Sequence, residues 1–189
     1  MKTKTHTAIV ETSLVSSIDD KHTYEVNKKL SNVEGEKAII VLLYPTRNKE
    51  NIYSDDNTLN YLVNHMLELN LNEIKIVNLF SQVVEGKLSA KGLQVDKDNL
   101  EYISSVLNDK KFNDYKFVIA WGTSMATSIA CQEAKRELLD LFKKANPKRK
   151  LYQFRTPSIV NVSFPHPLFL GIRGNKDIWK LEEINISKV

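Results

Sequence analysis

The segment KAIIVLLYP (residues 37–45) is a continuous β-branched and aliphatic run. It offers no polar face to water, so it suits a strand buried on both faces, the habit of parallel sheets covered by helices. Pro45 ends it, because proline has no N–H to give a ladder. EIKIVNLF (73–80) reads as a second strand and YKFVIAWG (115–122) as a third, buried one. SIVNVSF (158–164) reads as a fourth clear strand, and KLYQF as a further short one.

Helical patterns fall between these runs. A polar loop, TRNKENIYSDD, leads to a helix expected from Asn57-Thr58, with Leu59, Leu62, Val63, Met66 and Leu67 on one stripe. After a long loop, Asp96 or Asp98 caps a helix carrying Leu100, Ile103, Val106 and Leu107. Thr123 or Ser124 caps a third, with Met125, Ile129, Ala130, Leu138, Leu141 and Phe142. DIWKLEEI begins a final helix or turn, capped by Asp177 and packed on the body through Trp179. Strands alternating with helices imply βαβ units with right-handed crossovers. The expected fold is α/β: a three-layer α/β/α sandwich with a mostly parallel central sheet of about four strands. Residues 37–189 make one domain; residues 1–36 are edge strands or an N-terminal extension packed on it.

Composition sets outer bounds. With 189 residues, 42% of them hydrophobic, the chain can bury one substantial core. No apolar run approaches the ~20 residues of a membrane span, and the N-terminus has no signal-peptide pattern. The single cysteine, Cys131, excludes an internal disulfide framework and a cysteine-cluster zinc site; within an apolar helix it reads as packed. A cytoplasmic protein with no membrane partner is expected. His6, His22 and His65 are too scattered to form a metal site, His65 lies off its helix stripe and reads as solvated, and no cofactor is expected. The net charge of +4 permits a polyanionic partner without requiring one. KKANPKRK (143–150) reads as a helix end complementing the dipole, with phosphate contact as its functional reading.

In open α/β sheets the ligand site lies beyond the carboxyl ends of the strands. Four such ends follow: Tyr44-Pro45-Thr46, Asn78-Leu79-Phe80, Trp121-Gly122-Thr123 and Pro165-His166-Pro167. Each has a plain structural reading. Prolines stop strands, Asn78 satisfies a backbone group, WGTS is a tight turn with a cap, and His166 is a packed histidine. Their conjunction at successive strand ends is more specific than any one of them.

FVIAWGTSMA resembles the strand of uracil-DNA glycosylases that runs into Trp-Gly and then a helix. FPHPLFLG resembles their His-Pro-Ser-Pro-Leu loop, LLYPT stands in the place of their Gly-x-Asp/Asn-Pro motif, and KIVNLF in that of the strand delivering the uracil-reading asparagine. The chain is more closely similar to an uncharacterised bacterial domain family with the order Asn-Pro-Ser, Asp-Pro-Thr, Asn-Leu-Phe, Trp-Gly and His-Pro-Leu. Here that order is Tyr44-Pro45-Thr46, Asp56-Asn57-Thr58, Asn78-Leu79-Phe80, Trp121-Gly122 and His166-Pro167-Leu168. Three departures stand out. Tyr44 occupies the place of the water-activating Asp or Asn, Leu42 that of a Gly, and Leu168 follows Pro167 with no Ser between. Asp55 and Asp56 are the nearby carboxylates that could substitute.

The resemblance implies a chemistry. His166, Tyr44 and Thr46 would be catalytic; Asn78, Phe80, Tyr44 and Pro45 would bind the base; Thr123, Ser124, Pro167, Leu168 and Phe169 would contact DNA, with Leu168 and Phe169 filling the gap of a flipped base. It implies weak release of uracil, a monomer, DNA as partner (single-stranded or with an extruded uracil), and a protein inhibitor of uracil-DNA glycosylases as a second partner. Rival readings are a non-catalytic DNA-binding module on the same fold, a nucleotide or free-base binding protein or nucleoside hydrolase, and a purely structural interaction domain.

Overall fold

The computed structural model describes residues 3–47, 51–84, 95–145, 149–174 and 176–185. In chain order they form β1 (Ile9–Ser16), β2 (Thr23–Ser31), β3 (Glu36–Leu42), α1 (Asn57–His65), β4 (Leu71–Asn78), α2 (Lys97–Asn108), β5 (Lys116–Ile119), α3 (Ile129–Ala145), β6 (Leu151–Arg155), α4 (Pro167–Arg173) and β7 (Lys180–Ile184). The expected α/β class holds. The expectation of a mostly parallel sheet of about four strands is corrected: one mixed seven-stranded sheet runs β1-β2-β4-β3-β5-β6-β7. Parallel pairing is confined to β4-β3-β5-β6, and β1, β2 and β7 join antiparallel. Antiparallel neighbours need only hairpins or loops, so these flanking strands leave no βαβ signature in the sequence.

β3 is central because every residue from Ala38 to Leu43 is buried. Its pleat divides them. Ile39, Val41 and Leu43 enter a core with Ile103, Val106, Leu138 and Phe142 of α2 and α3. Ala38, Ile40 and Leu42 enter a second core with Leu62 of α1, Leu170 of α4 and Trp179. The chain leaves β3 for β4 on one side through α1, then crosses back to β5 through α2. The sheet therefore has a topological switch point at β3, where the carboxyl ends of β3, β4 and β5 splay around a crevice.

The N-terminal residues read as edge strands or an extension form the β1–β2 hairpin, and β2 pairs with β4. α1 starts at Asn57 as expected, and Asp56 caps it, accepting the Leu59 N–H at 2.8 Å. Asp96 caps α2 as expected, accepting from Asn99 N–H at 3.0 Å. Leu67 falls beyond the end of α1 and is exposed.

Other expectations are corrected. Thr123 and Ser124 do not cap the third helix. Gly122 (φ 71°) and Met125 (φ 61°) bend the chain away, and α3 starts only at Ile129, with the Ser128 carbonyl accepting from Gln132 N–H at 3.0 Å. SIVNVSF is not a strand. The strand is the preceding β6, after which Thr156 bridges back to Ile159 and the chain turns over the switch point. DIWKLEEI is not a helix but β7, because across β6 the pairs Arg155–Glu182 (2.6 Å) and Lys150–Glu183 (2.7 Å) compensate its charges. Asp177 caps nothing; its carboxylate takes the Ser158 N–H and hydroxyl. Trp179 is fully buried ahead of that strand, with its backbone N–H on Glu68. His65, read as solvated, stacks on it at 4.0 Å and hydrogen-bonds through Nδ1 to the Tyr61 carbonyl.

Candidate functional site

The crevice holds a cavity of about 340 Å³, lined among others by Tyr44, Pro45, Thr46, Asn78, Trp121, Ser124, His166 and Leu168. That volume is at the lower end of small-ligand pockets, roughly 300–1,000 Å³. Strand ends supply Tyr44, Asn78 and Trp121; the start of α4 supplies His166 and Leu168; the start of α1 supplies Asp56. Val26, Leu42, Leu59 and Ile76 make part of its floor apolar.

Asn78 is the last residue of β4 and is 2% exposed. Its backbone carbonyl accepts from Asn99 Nδ2 at 2.8 Å, and the next carbonyl, of Leu79, accepts from the same amide at 3.1 Å. The fully buried Asn99 thus pins the strand end. The side-chain Oδ1 of Asn78 is buried and has no hydrogen-bond partner. A buried amide oxygen with nothing to accept costs about 1–3 kcal/mol in a chain that gains nothing else from it.

His166 caps α4, its Nδ1 accepting from the Leu168 N–H at 3.3 Å. Nδ1 is therefore the unprotonated nitrogen and the proton sits on Nε2. Burial pushes the imidazole pKa down to about 4, and the nearby Asp56 carboxylate opposes that shift without cancelling it. At neutral pH the ring is an uncharged hydrogen-bond donor. Gly122 packs directly on it and is linked to the same loop through Gly122 N–H to Phe164 carbonyl, 2.9 Å.

Asp56 is the carboxylate the cavity does hold. One oxygen caps α1 and the other accepts from the Thr46 hydroxyl. Behind it, Asp55 pairs at 2.5 Å with Lys28, which is 2% exposed and also donates to Thr12. That pair fastens the loop carrying Asp56 to β2. The sequence signal for Asp56 was its position before a helical stripe; nothing local reveals its contact with Thr46, ten residues earlier.

The remaining expected residues divide. Phe80 sits in the core under α2 and α3 rather than in the cavity lining. Thr123 lines a neighbouring groove. Pro167 is buried in the first turn of α4, and Phe169, in the same helix, is exposed and not among the cavity-lining residues. Of the basic stretch 143–150, residues 146–148 lie outside the described residues, and Arg149 donates to the Phe112 carbonyl. Cys131 is fully buried and its thiol pKa is raised by that burial, so it is packed and unreactive. Among the described residues no group of three or more His, Cys, Asp or Glu could hold a metal ion, and no helix is long and apolar enough to cross a membrane.

A family model described as a protein of unknown function, DUF1643, matches residues 24–168. The chain belongs to the DUF1643 family. The DUF1643 match begins in β2 and ends at Leu168, so it takes in every strand end and helix start that lines the cavity. No curated protein and no solved structure matches the chain.

Proposed function

We propose that the cavity holds a pyrimidine base with a free N3–H, and that the protein is a uracil-DNA glycosylase-like enzyme releasing uracil weakly from DNA, single strands first. The observation that carries this reading is the unpartnered Oδ1 of buried Asn78 in the same cavity as an uncharged histidine. Uracil presents a donor at N3 between two acceptors, so an asparagine amide both accepts from and donates to its edge. Cytosine has no N3–H: with the amide turned as for uracil, its N3 acceptor would face the Asn78 oxygen and its N4–H₂ donor the amide N–H.

In the reaction the C1′–N1 bond breaks and its electron pair stays with the base, spreading onto O2. The Nε2–H of neutral His166 donates to that oxygen as charge grows, and the cap on α4 fixes the donor before the step begins. Water adds to C1′ as the C1′–N1 bond breaks, and the proton it gives up passes through solvent to neutralise the departing uracil anion. The Thr46 hydroxyl, oriented by Asp56, is the group that would position the water. Tyr44 forms a wall of the base pocket, while Leu168, which lines it, and the exposed Phe169 next to it in the chain would take the space of an extruded base. A single strand is favoured because no base pair has to open.

A second reading has its own support. Tyr44 stands where the water-activating acid is expected, and both oxygens of Asp56 are already engaged. This favours a module that binds a base in DNA without releasing it. Incubating a uracil-containing single-stranded oligonucleotide with pure protein, then with alkali, separates the two. Cleavage at uracil, abolished by His166→Ala and sharply reduced by Asn78→Ala, supports release; none at stoichiometric protein ends the catalytic reading. DNA partnership, a monomeric state and control by a protein inhibitor of glycosylases remain part of this proposal.

A further inference from the structure

Beside the base cavity lies a groove of about 420 Å³ between α3 and the turns at 121–123 and 163–164. The two share Trp121 as a common wall. Lys135, Arg136 and Lys143 line the groove against one acid, Asp140. Elsewhere cations are commonly paired with carboxylates, as in Lys28–Asp55, Lys75–Glu25 and Lys116–Glu36. Among the described residues, none of these three groove cations has such a partner. Lys135 is held instead over the Trp121 ring, 5.1 Å from its centroid, which fixes an ammonium at the boundary between groove and cavity. From Lys135 to Lys143 the helix advances about 12 Å, longer than one phosphate.

We infer that this groove carries the backbone phosphates of a single-stranded nucleic acid whose base occupies the neighbouring cavity. The inference rests on the base-binding reading of that cavity. Unpaired cations along one helix face make a track for phosphates and carry no base information. The shared tryptophan sets the distance between the track and the base.

The test uses the full chain and a short fluorescein-labelled oligodeoxycytidylate, which contains no uracil. Its affinity is measured across a salt series. The variant Lys135→Ala/Arg136→Ala/Lys143→Ala should bind more weakly at low salt. Its slope of log affinity against log salt should flatten by roughly 2, at about 0.7 per lost single-strand contact. Lys144→Ala, on the α2-facing side of the same helix, should leave the slope unchanged. The more conservative Arg136→Gln/Lys143→Gln, both at exposed positions, repeats the test should the triple variant fold poorly. An unchanged slope, or no binding by the parent protein at low salt, overturns the inference. Free uracil added to the same proteins reads the cavity separately, through thermal unfolding. A groove-dependent slope without a uracil-induced shift sinks the base reading alone; a uracil shift with a groove-independent slope sinks only the phosphate track.

Discussion

A β-carbon added at Gly122 would lie 3.0 Å from the Cβ of His166, and Gly122 has a φ of 71° that side-chain-bearing residues seldom adopt. The end of β5 therefore sets the position of the imidazole through van der Waals contact. Gly122→Ala should destabilise the protein by about 1–2 kcal/mol through the left-handed backbone alone. It should also push the histidine by a few tenths of an ångström and weaken uracil binding. Urea unfolding with a uracil-induced thermal shift checks both, and an unaltered shift would mean that the contact does not position the ring.

The protonation of His166 should appear as a pH dependence of stability. Its folded pKa is lowered to about 4 from an ordinary 6.5, so between those values the unfolded chain binds the extra proton. Stability from this group is complete above pH 6.5 and falls as the pH drops toward 4. Relative to neutral pH the loss is about 2 kcal/mol by pH 5. His166→Gln should lack this slope between pH 6.5 and 5. Parallel curves for the two proteins in urea would show that the ring is not held neutral by burial.

Asp55→Ala should cost on the order of 3 kcal/mol, because it leaves the Lys28 ammonium buried without its partner. Lys28→Met combined with Asp55→Ala should recover much of that, since no buried charge is left. Equal losses in the single and double variants, measured by denaturant unfolding, would contradict a charge-pairing role.

Replacing Asn78 by Val removes a buried oxygen that nothing in the folded chain satisfies and suits a strand position. Stability should be unchanged or higher by about 1 kcal/mol, while uracil binding is lost. A strongly destabilised variant would instead make Asn78 a structural residue.

Much of the scaffold was legible in the sequence because it rests on local patterns. The segments 37–45, 73–80 and 115–122 overlap the three central strands β3, β4 and β5, and Asp96 caps its helix where a short polar residue precedes a helical stripe. Burial on both faces of a strand and satisfaction of a helix's first N–H groups are met within a few residues, so the chain displays them in order. Tyr44 and Asn78 could be brought to one place by the rule that parallel strands end on a common edge; His166 lines the same cavity from the start of α4 and not from a strand end.

What the sequence alone could not determine depends on residues far apart in the chain. KLYQF, read as a short strand, is β6, but 158–164 is not a strand, and 180–184 extends rather than coils because Arg155 and Lys150 pair with Glu182 and Glu183 across an antiparallel register. The unpaired state of the Asn78 oxygen, the neutral ring of His166 and the hold of Thr46 on Asp56 likewise follow from burial and contact between separate elements. Only tertiary structure decides them, since desolvation and hydrogen-bond satisfaction are properties of the assembled surroundings and not of a residue's neighbours in sequence.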